Sequence, residues 1–530
     1  MSDLEKRGEA GSHPGAAAPL NGGNWSSEPT VAADRSASGS PPTTSAGHTE
    51  VHSSGHDNIA AEKKHSGEGD LVSKPREGEV KSDRVKRKVE DLESEGYVLV
   101  GFEDGDPENP RNWSKAYKYF LVSFCSYLNV CVASQASAYS TGSSDIQEEF
   151  GISSELATVG LSLYVLGFAI GPPIVAPLSE QFGRKPVYLI CWALWVLMSF
   201  PIAFSPTIEG ILICRFLAGL MASPPLSNTG GVVSDLFARD FSGKAMAIYT
   251  FGSCIGPATG NVYASFIAPK LGWRWIYYLT ALLIFGLHLP IIYFVLPETR
   301  HNIIIERKAA RLRKEASTDK FVSVHATEKK SLAAGLKISL TRPFRFLFTE
   351  PITMFASAWN GFLYGLIFLF NDAFAEIWGP GNGGYGWSSA GLVQLTFLSL
   401  IIGTALAALS YPLIGERFYQ KRIREAGESV PEARMFAGCF GCVLLPIGLF
   451  LTAWTCYPDR IVWIVPLLGP AIFGYGFFFV LFGILTYLTD SYGAFSASAL
   501  GAAILIRSES TLPRLHRLES LLTNPPSHCL

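Results

Sequence analysis

The segment APLSEQFGRK, from Ala176 to Lys185, is a short charged stretch between two long apolar runs. A related segment, YPLIGERF, occupies residues 411–418 and also follows directly on an apolar run. Asp235 and Asp490 repeat at a similar separation, each at the end of a later apolar run. Two copies of one pattern in the same chain direction indicate that the chain is built from two related, parallel halves.

Ten apolar runs surround these segments, and short polar breaks separate them. About 20 helical residues cross the roughly 30 Å of hydrocarbon in a bilayer, which is the length that these runs reach. They cover residues 116–138, 156–178, 187–204, 208–236, 243–267, 273–296, 351–378, 388–411, 435–454 and 461–488. We therefore predict an all-α polytopic membrane protein of two related helical bundles, with about ten complete spans.

The composition excludes a single soluble domain. Charged residues make up 17% of the 530 residues, whereas soluble domains carry about 25%. Residues 116–296 contain only 16 charged residues, while residues 1–115 contain 35. The nine cysteines are too sparse for a disulfide framework, and Cys439 and Cys442 have no nearby histidine, so we predict no metal site. A net charge of −2 gives no indication of a nucleic-acid partner.

The same pattern predicts six parts of the chain. The eleventh apolar run, 493–506, has 14 residues and is too short to span, so we expect a partial eleventh span and no twelfth. This end is typical of a truncated or mis-spliced reading frame. The predicted parts are a disordered cytosolic tail (1–95), a pre-membrane segment (96–115), an N-terminal six-helix bundle (116–296), a basic cytosolic central loop (297–350), an incomplete C-terminal bundle (351–506) and an atypical polar C-terminus (507–530).

The distribution of Lys and Arg predicts the orientation. With a cytosolic N-terminus, the inner loops carry 21 of these residues and the outer loops carry 3. Cytosolic loops of membrane proteins are enriched in Lys and Arg. The N-terminus and the central loop are therefore predicted to face the cytosol.

Four motifs resemble the major facilitator superfamily, specifically its fungal drug:proton antiporter branch of twelve spans, which includes polyamine and multidrug exporters. The motifs are the loop PLSEQFGRK (177–185), RFLAG with PPLSN in the fourth run (215–228), the glycines and proline of the fifth run (252–260), and PETR (297–300). In the loop, Glu180 stands where the family usually has Asp. In the fifth run, Asn261 stands where a second Gly is usual.

The resemblance implies proton-coupled export of small organic compounds, cationic or amphiphilic, by alternating access. It implies no cofactor besides the proton gradient, a monomer in the lipid bilayer, and a plasma-membrane location, with the vacuolar membrane as the alternative. Facilitated uptake of a nutrient and a non-transporting sensor or inactive truncated product remain open alternatives. An enzyme is not expected, because the sequence lacks a metal cluster, a phosphate loop and a nucleophile constellation.

Seven polar residues within or beside the spans are candidates for the proton and substrate pathway. Arg215 stays protonated, so it would organise a polar network rather than carry the proton; the alternative is an arginine that only binds carbonyls between helices. Asp372 and Glu376 share one helix face and could load a proton or a cationic substrate in turn, unless the span ends near Phe370 and both lie in water. The remaining candidates are Asn228, Asn360, Tyr364 and Tyr475.

Gating and hinge roles are predicted at the motifs themselves. Charged groups on a short inner loop can bridge helices in one conformation and release them in the other, or simply anchor the loop at the membrane surface. The predicted gate residues are Glu180, Gly183, Arg184, Lys185, Asp235 and Asp490, with ion pairs expected at the two aspartates. The resemblance implies a hinge or seal at Gly252, Gly256, Pro257 and Gly260, although plain helix packing explains the glycines equally well.

Residues 303–315 form a basic amphipathic stretch within the central loop. Such a stretch lies on an anionic inner leaflet or forms a solvated linker helix.

Overall fold

The computed structural model describes residues 96–238, 241–324, 332–380, 384–427, 430–492 and 499–504. These residues belong to one compact unit. The predicted disordered tail (1–95) and polar C-terminus (507–530) lie outside the described residues.

Ten long helices, α1 to α10 in chain order, coincide with the ten predicted runs. Nine of the helices in the described ranges have the length and hydropathy of a membrane span. One of the nine is α8, which is counted together with its continuation to Ala426. The other, α5, has 29 residues but is rich in Gly, Ala and Ser, which lowers its hydropathy. The bounds are Lys115–Thr141, Ser154–Phe182, Arg184–Phe204, Ile208–Leu236, Gly243–Leu271, Arg274–Val295, Pro351–Trp378, Ala390–Ser410, Glu432–Thr455 and Ile464–Tyr492.

Three of these helices are interrupted, and the eighth consists of Ala390–Leu395 and Phe397–Ser410. The fourth consists of Ile208–Met221 and Pro224–Leu236, because the two prolines at 224 and 225 supply no backbone N–H to the preceding turn. The sixth contains a π-turn, Ile284–His288, followed by a proline at position 290.

Shorter elements connect the long helices. One helix, Ser143–Phe150, follows α1, and another, Gly415–Ala426, follows α8. The central loop contains the helices His301–Ala316 and Leu332–Thr349. A 3₁₀ turn, Pro110–Asn112, precedes α1, and residues 499–504 are helical.

Strand β1 (Val98–Val100) pairs in parallel with strand β2 (Phe321–Ser323), which joins the pre-membrane segment to the central loop.

The basic helix His301–Ala316 covers β1 with its apolar face. Ile305 and Ala309 are buried against Val100. Lys308 forms an ion pair with Asp106 at 2.7 Å and lowers the pKa of that carboxyl group. This face is therefore not available to lipid, which favours the linker-helix interpretation of residues 303–315.

Large apolar side chains cover the outside of the helical unit. Phe294, Phe355 and Leu409 are each at least 74% exposed, and each lies on a long helix or at its end. An exposed apolar surface of this kind marks contact with a partner or a membrane. The polar groups described below lie inside.

Candidate transport site

A central cavity of about 40 Å³ lies between the two halves. Its wall is formed by α1, α2, α4 and α5 of the first half and by α7 of the second half. Aromatic groups on the wall come from Phe168, Tyr364 and Phe368, and polar groups come from Asn129 and Ser253. Among the described lining residues none is charged.

Asn129 provides an unused hydrogen-bond acceptor at this cavity. Its Nδ2 donates to Ser253 Oγ at 2.7 Å, while its Oδ1 is buried and has no partner among the described residues. Tyr364 Oη donates to the Ser253 carbonyl oxygen at 3.3 Å. Because buried polar atoms are nearly always hydrogen-bonded, this amide oxygen makes Asn129 a candidate to accept a hydrogen bond from a ligand or water.

A second cavity, of about 60 Å³, lies beside the first. We call it the inner cavity, because it lies towards the ends of α2 and α4 that carry the repeated charged segments and that are predicted to be cytosolic. Leu226, directly after the proline break of α4, lines both cavities. Both are much smaller than the roughly 300 Å³ or more of typical ligand pockets. Neither described cavity is therefore large enough for a drug-sized substrate in this conformation.

Arg215 is fully buried in the first half. Its Nε donates to the Gly160 carbonyl oxygen and its Nη1 donates to Tyr277 Oη, both at 2.6 Å. The guanidinium also lies 4.0 Å from the ring centre of Tyr139 and 5.0 Å from that of Tyr164. Within the described part of the chain it has aromatic and carbonyl partners and no carboxylate, as in the alternative interpretation.

The two predicted acids of α7 differ in what the structure describes. The Glu376 side chain is exposed near the outer end of the helix. The backbone of Asp372 belongs to α7, but its side chain lies outside the described residues. Their role as a carboxylate pair stays a prediction.

The other predicted pathway residues do not meet at the central cavity, apart from Tyr364. Asn228 Oδ1 accepts from Ser179 Oγ at 3.0 Å, near the inner end of α2. Asn360 Nδ2 donates to the carbonyl oxygen of residue 503 at 3.3 Å. Tyr475 Oη lies 2.8 Å from Ser410 Oγ, between α8 and α10.

His288 is a buried titratable group that the sequence analysis did not single out. It closes the π-turn of α6, and its Nε2 lies 2.9 Å from Tyr127 Oη on α1. It packs inside the first half and is not part of the described cavity walls. The available signal in the sequence was a histidine inside an apolar run of bilayer length.

A buried ionic cluster holds the inner end of the first half together. Arg184 Nε lies 3.4 Å from Asp235 Oδ2, and Arg184 Nη1 donates to Ser179 Oγ at 2.6 Å. Arg300 Nη1 lies 3.6 Å from the other oxygen of Asp235. The Lys185 ammonium donates to the Tyr293 carbonyl oxygen at 2.6 Å. The cluster ties α2, α3, α4 and the end of α6 together.

Glu298, in the PETR motif, is another functional candidate that sequence reasoning missed. Its carboxylate accepts hydrogen bonds from the backbone N–H groups of Arg184 and Lys185 at 2.8 and 3.3 Å. Gly183 has φ +101°, and a Cβ there would lie 2.2 Å from Glu298 Oε2. Glu180, by contrast, is exposed and has no ion pair within the described residues. The acidic residue of the PETR motif was the available signal.

A matching cluster lies at the inner end of the second half. Arg434 Nε lies 3.0 Å from Asp490 Oδ2, and both side chains are at most 3% exposed. Tyr419 Oη donates to the same carboxylate oxygen at 3.2 Å, and Tyr411 Oη donates to Glu416 Oε2 at 2.8 Å. The partner of Asp490 is thus supplied by the start of α9.

This second cluster also reaches the first half. A Cβ on Gly243, at the start of α5, would lie 2.3 Å from Glu416 Oε2 and 2.8 Å from Arg434 Nη1. The two halves are therefore in direct contact at the inner end.

The predicted hinge glycines lie against α1. A Cβ on Gly256 would lie 2.4 Å from Ala133 Cβ, and one on Gly260 would lie 2.1 Å from the Ser134 carbonyl oxygen. At Gly252 the corresponding distance, to Ser126 Oγ, is 2.3 Å. The glycines let α1 and α5 approach closely, as helix packing requires. Pro257, on the same helix, lines the central cavity.

Two related helical halves that line a common central cavity and touch at one end are a transporter architecture. The profile of the Major Facilitator Superfamily matches residues 119–509. The chain belongs to this superfamily and is a multi-pass membrane transporter.

Relatives and a solved structure agree with this assignment. Efflux pump FUBT of Fusarium oxysporum is 34% identical over 410 residues, which are 77% of this chain and 68% of that protein. Multidrug transporter TPO1_1 of Candida glabrata is 32% identical over 404 residues, 76% of this chain and 70% of that protein. The E. coli proton:xylose symporter XylE matches with a TM-score of 0.52 and 14% identity, over 78% of this chain and 91% of that chain, and shows the fold alone.

Proposed function

We propose that this transporter exports small amphiphilic organic compounds in exchange for protons, by rocking its two halves about the central cavity. The observation that carries the proposal is the cavity itself, which both halves line with aromatic rings and one unused acceptor. Relatives named as efflux pumps and multidrug transporters support the outward direction. The orientation that places the N-terminus and the inner cavity on the cytosolic side follows from the Lys and Arg distribution.

The cavity wall favours a substrate with an apolar body and one hydrogen-bond donor. Phe168, Tyr364 and Phe368 offer ring faces, and Asn129 Oδ1 offers the acceptor. An ammonium group satisfies both, because it donates a hydrogen bond and is attracted to aromatic faces. A carboxylate does not, because the described wall supplies no cation.

The ionic clusters supply the gate in this proposal. Each ion pair, Arg184 with Asp235 and Arg434 with Asp490, holds together the inner end of its own half. The contact that separates when the inner end opens is the one between the halves, where Gly243 lies against Glu416 and Arg434. Asp372 and Glu376 are the proposed proton carriers in the second half, and Arg215 organises the polar network of the first half.

The test is uptake of a fluorescent amphiphilic amine into inside-out vesicles with an acidic lumen. Vesicles that carry the unmodified chain are expected to concentrate the amine more than vesicles that lack it, because protonation alone traps some amine in an acidic lumen. An uncoupler is expected to abolish that difference. Asn129→Ala should weaken transport by about 2- to 13-fold, the effect of one lost hydrogen bond. Ser199→Ala is the matched control, because Ser199 is equally buried and bonds only within α3. If the uncoupler does not change transport, proton coupling is rejected and facilitated uptake is favoured.

A further inference from the structure

The central-loop helix Leu332–Thr349 forms part of the wall of the inner cavity. Pro343 lines the cavity together with residues of α2, α4 and α5 and residues of the second half. A Cβ on Gly501 would lie 3.5 Å from Pro343 Cγ. The rings of Phe346 and Tyr492 lie 5.3 Å apart. The helix therefore bridges the two halves across the inner cavity while it also packs against α2.

The opposite side of this helix is apolar and exposed. Leu340, Phe344 and Phe348 follow each other at intervals of four residues, so they share one face. They are 38%, 48% and 76% exposed. The stripe runs directly into α7, where Phe355 is 74% exposed. It is thus continuous with the lipid-facing surface of a membrane span.

The charge of the helix is entirely positive. Its 18 residues contain Lys337, Arg342 and Arg345 and no acidic residue, and the side chains of Lys337 and Arg345 are exposed. A helix with an apolar stripe and basic flanks lies in the interface of a membrane that contains anionic lipid. The first basic helix of the central loop differs, since its apolar face is occupied by β1.

We infer that Leu332–Thr349 is a lid over the inner entrance of the transport route, and that anionic lipid of the adjacent leaflet holds it closed. The lipid binds the apolar stripe and the basic side chains. This binding keeps Pro343 in the wall of the inner cavity. The inference rests on the route proposed above. Opening requires the helix to leave Tyr492 and Gly501, which frees the space between the halves.

The experiment measures access to the inner cavity in proteoliposomes of the full chain. Gly230→Cys places a thiol on the inner-cavity wall, where a Cβ meets no atom within 4 Å. Its labelling by a membrane-impermeant maleimide is followed by peptide mass spectrometry, which separates it from the native cysteines. The rate is normalised to Lys421→Cys, a cytosolic-side position that is 75% exposed and independent of the lid.

Labelling of Gly230→Cys is expected to be slower in vesicles with anionic lipid than in pure phosphatidylcholine. Each basic residue near an anionic leaflet favours the membrane-bound position of the helix by about fivefold. The double variant Lys337→Gln with Arg345→Gln should therefore reduce the difference in labelling rate between the two lipids by roughly 25-fold. The matched control is Arg307→Gln with Lys314→Gln on the other basic helix, which should leave the difference intact. Phe346→Ala should accelerate labelling in both lipids.

Equal rates in all lipids and variants would overturn the lid. If Phe346→Ala raises the labelling rate but lipid charge does not change it, the helix is a lid that anionic lipid does not hold, and that part of the inference is overturned. Variants that elute as aggregates are replaced by Phe346→Leu, which keeps the apolar packing but removes the ring contact with Tyr492. Because labelling needs no substrate, failure here and failure of the export proposal are distinguishable.

Discussion

Breaking the buried ion pair between Arg184 and Asp235 should destabilise the protein far more than breaking an exposed pair. Both side chains are at most 5% exposed, and Asp235 also faces Arg300. Asp235→Asn leaves both guanidinium groups without their carboxylate. Removing one partner of a buried pair costs about 3–5 kcal/mol.

The assay is thermal unfolding of the detergent-solubilised chain. For a unit of about 400 residues, a loss of 3–5 kcal/mol lowers Tm by roughly 4–6 °C. The matched control is Glu425→Gln, which removes the partner of Lys421 in a pair that is 75% and 49% exposed. That pair is worth at most about 1 kcal/mol.

A double substitution separates the pair from the fold. Arg184→Leu with Asp235→Leu should recover part of the lost stability, because replacing both members of a buried pair by apolar groups is often neutral, whereas Arg300 still lacks its carboxylate. If Asp235→Asn lowers Tm no further than Glu425→Gln, the cluster does not hold the inner end of the first half together, and the reasoning is refuted.

Three further predictions concern single positions. Gly183→Ala should lower the free energy of unfolding by about 1–3 kcal/mol, because φ is +101° and the new Cβ would collide with Glu298. An unchanged Tm would contradict the tight turn. Gly256→Leu should abolish transport by forcing α1 from α5, whereas Gly286→Leu, where a Cβ meets no atom within 4 Å, should be tolerated; vesicle uptake decides between them. Asp106→Asn should remove a stabilisation that is present at neutral pH and lost as the pH falls below about 4, because Lys308 lowers the pKa of Asp106. When Tm is measured against pH, the variant should therefore lose less stability in acid than the unmodified chain does.

The helices were predictable from local sequence, because a span needs continuous apolar residues. The fourth run, 208–236, coincides with the ends of α4, and the eighth run differs from α8 by at most two residues. The break in α4 follows from its two prolines. The lower hydropathy of α5 reflects the small residues that pack it against α1.

Contacts between distant helices were predictable only in part. The ion pair at Asp235 followed from two motifs in one half, whereas Arg434 was not recognised as the partner of Asp490. The amide contacts of Glu298 depend on the left-handed turn at Gly183, which no apolar periodicity reveals. The unused oxygen of Asn129 depends on how closely two helices approach, and composition does not specify that distance.

Leu226 has a consequence for how the two cavities change together. It is the one described residue that lines both of them, and it follows a proline break where few backbone bonds resist displacement. Wetting a side chain of this size costs about 1.5–3 kcal/mol. A change of its rotamer therefore reshapes both spaces at once, without a rocking motion of the two halves.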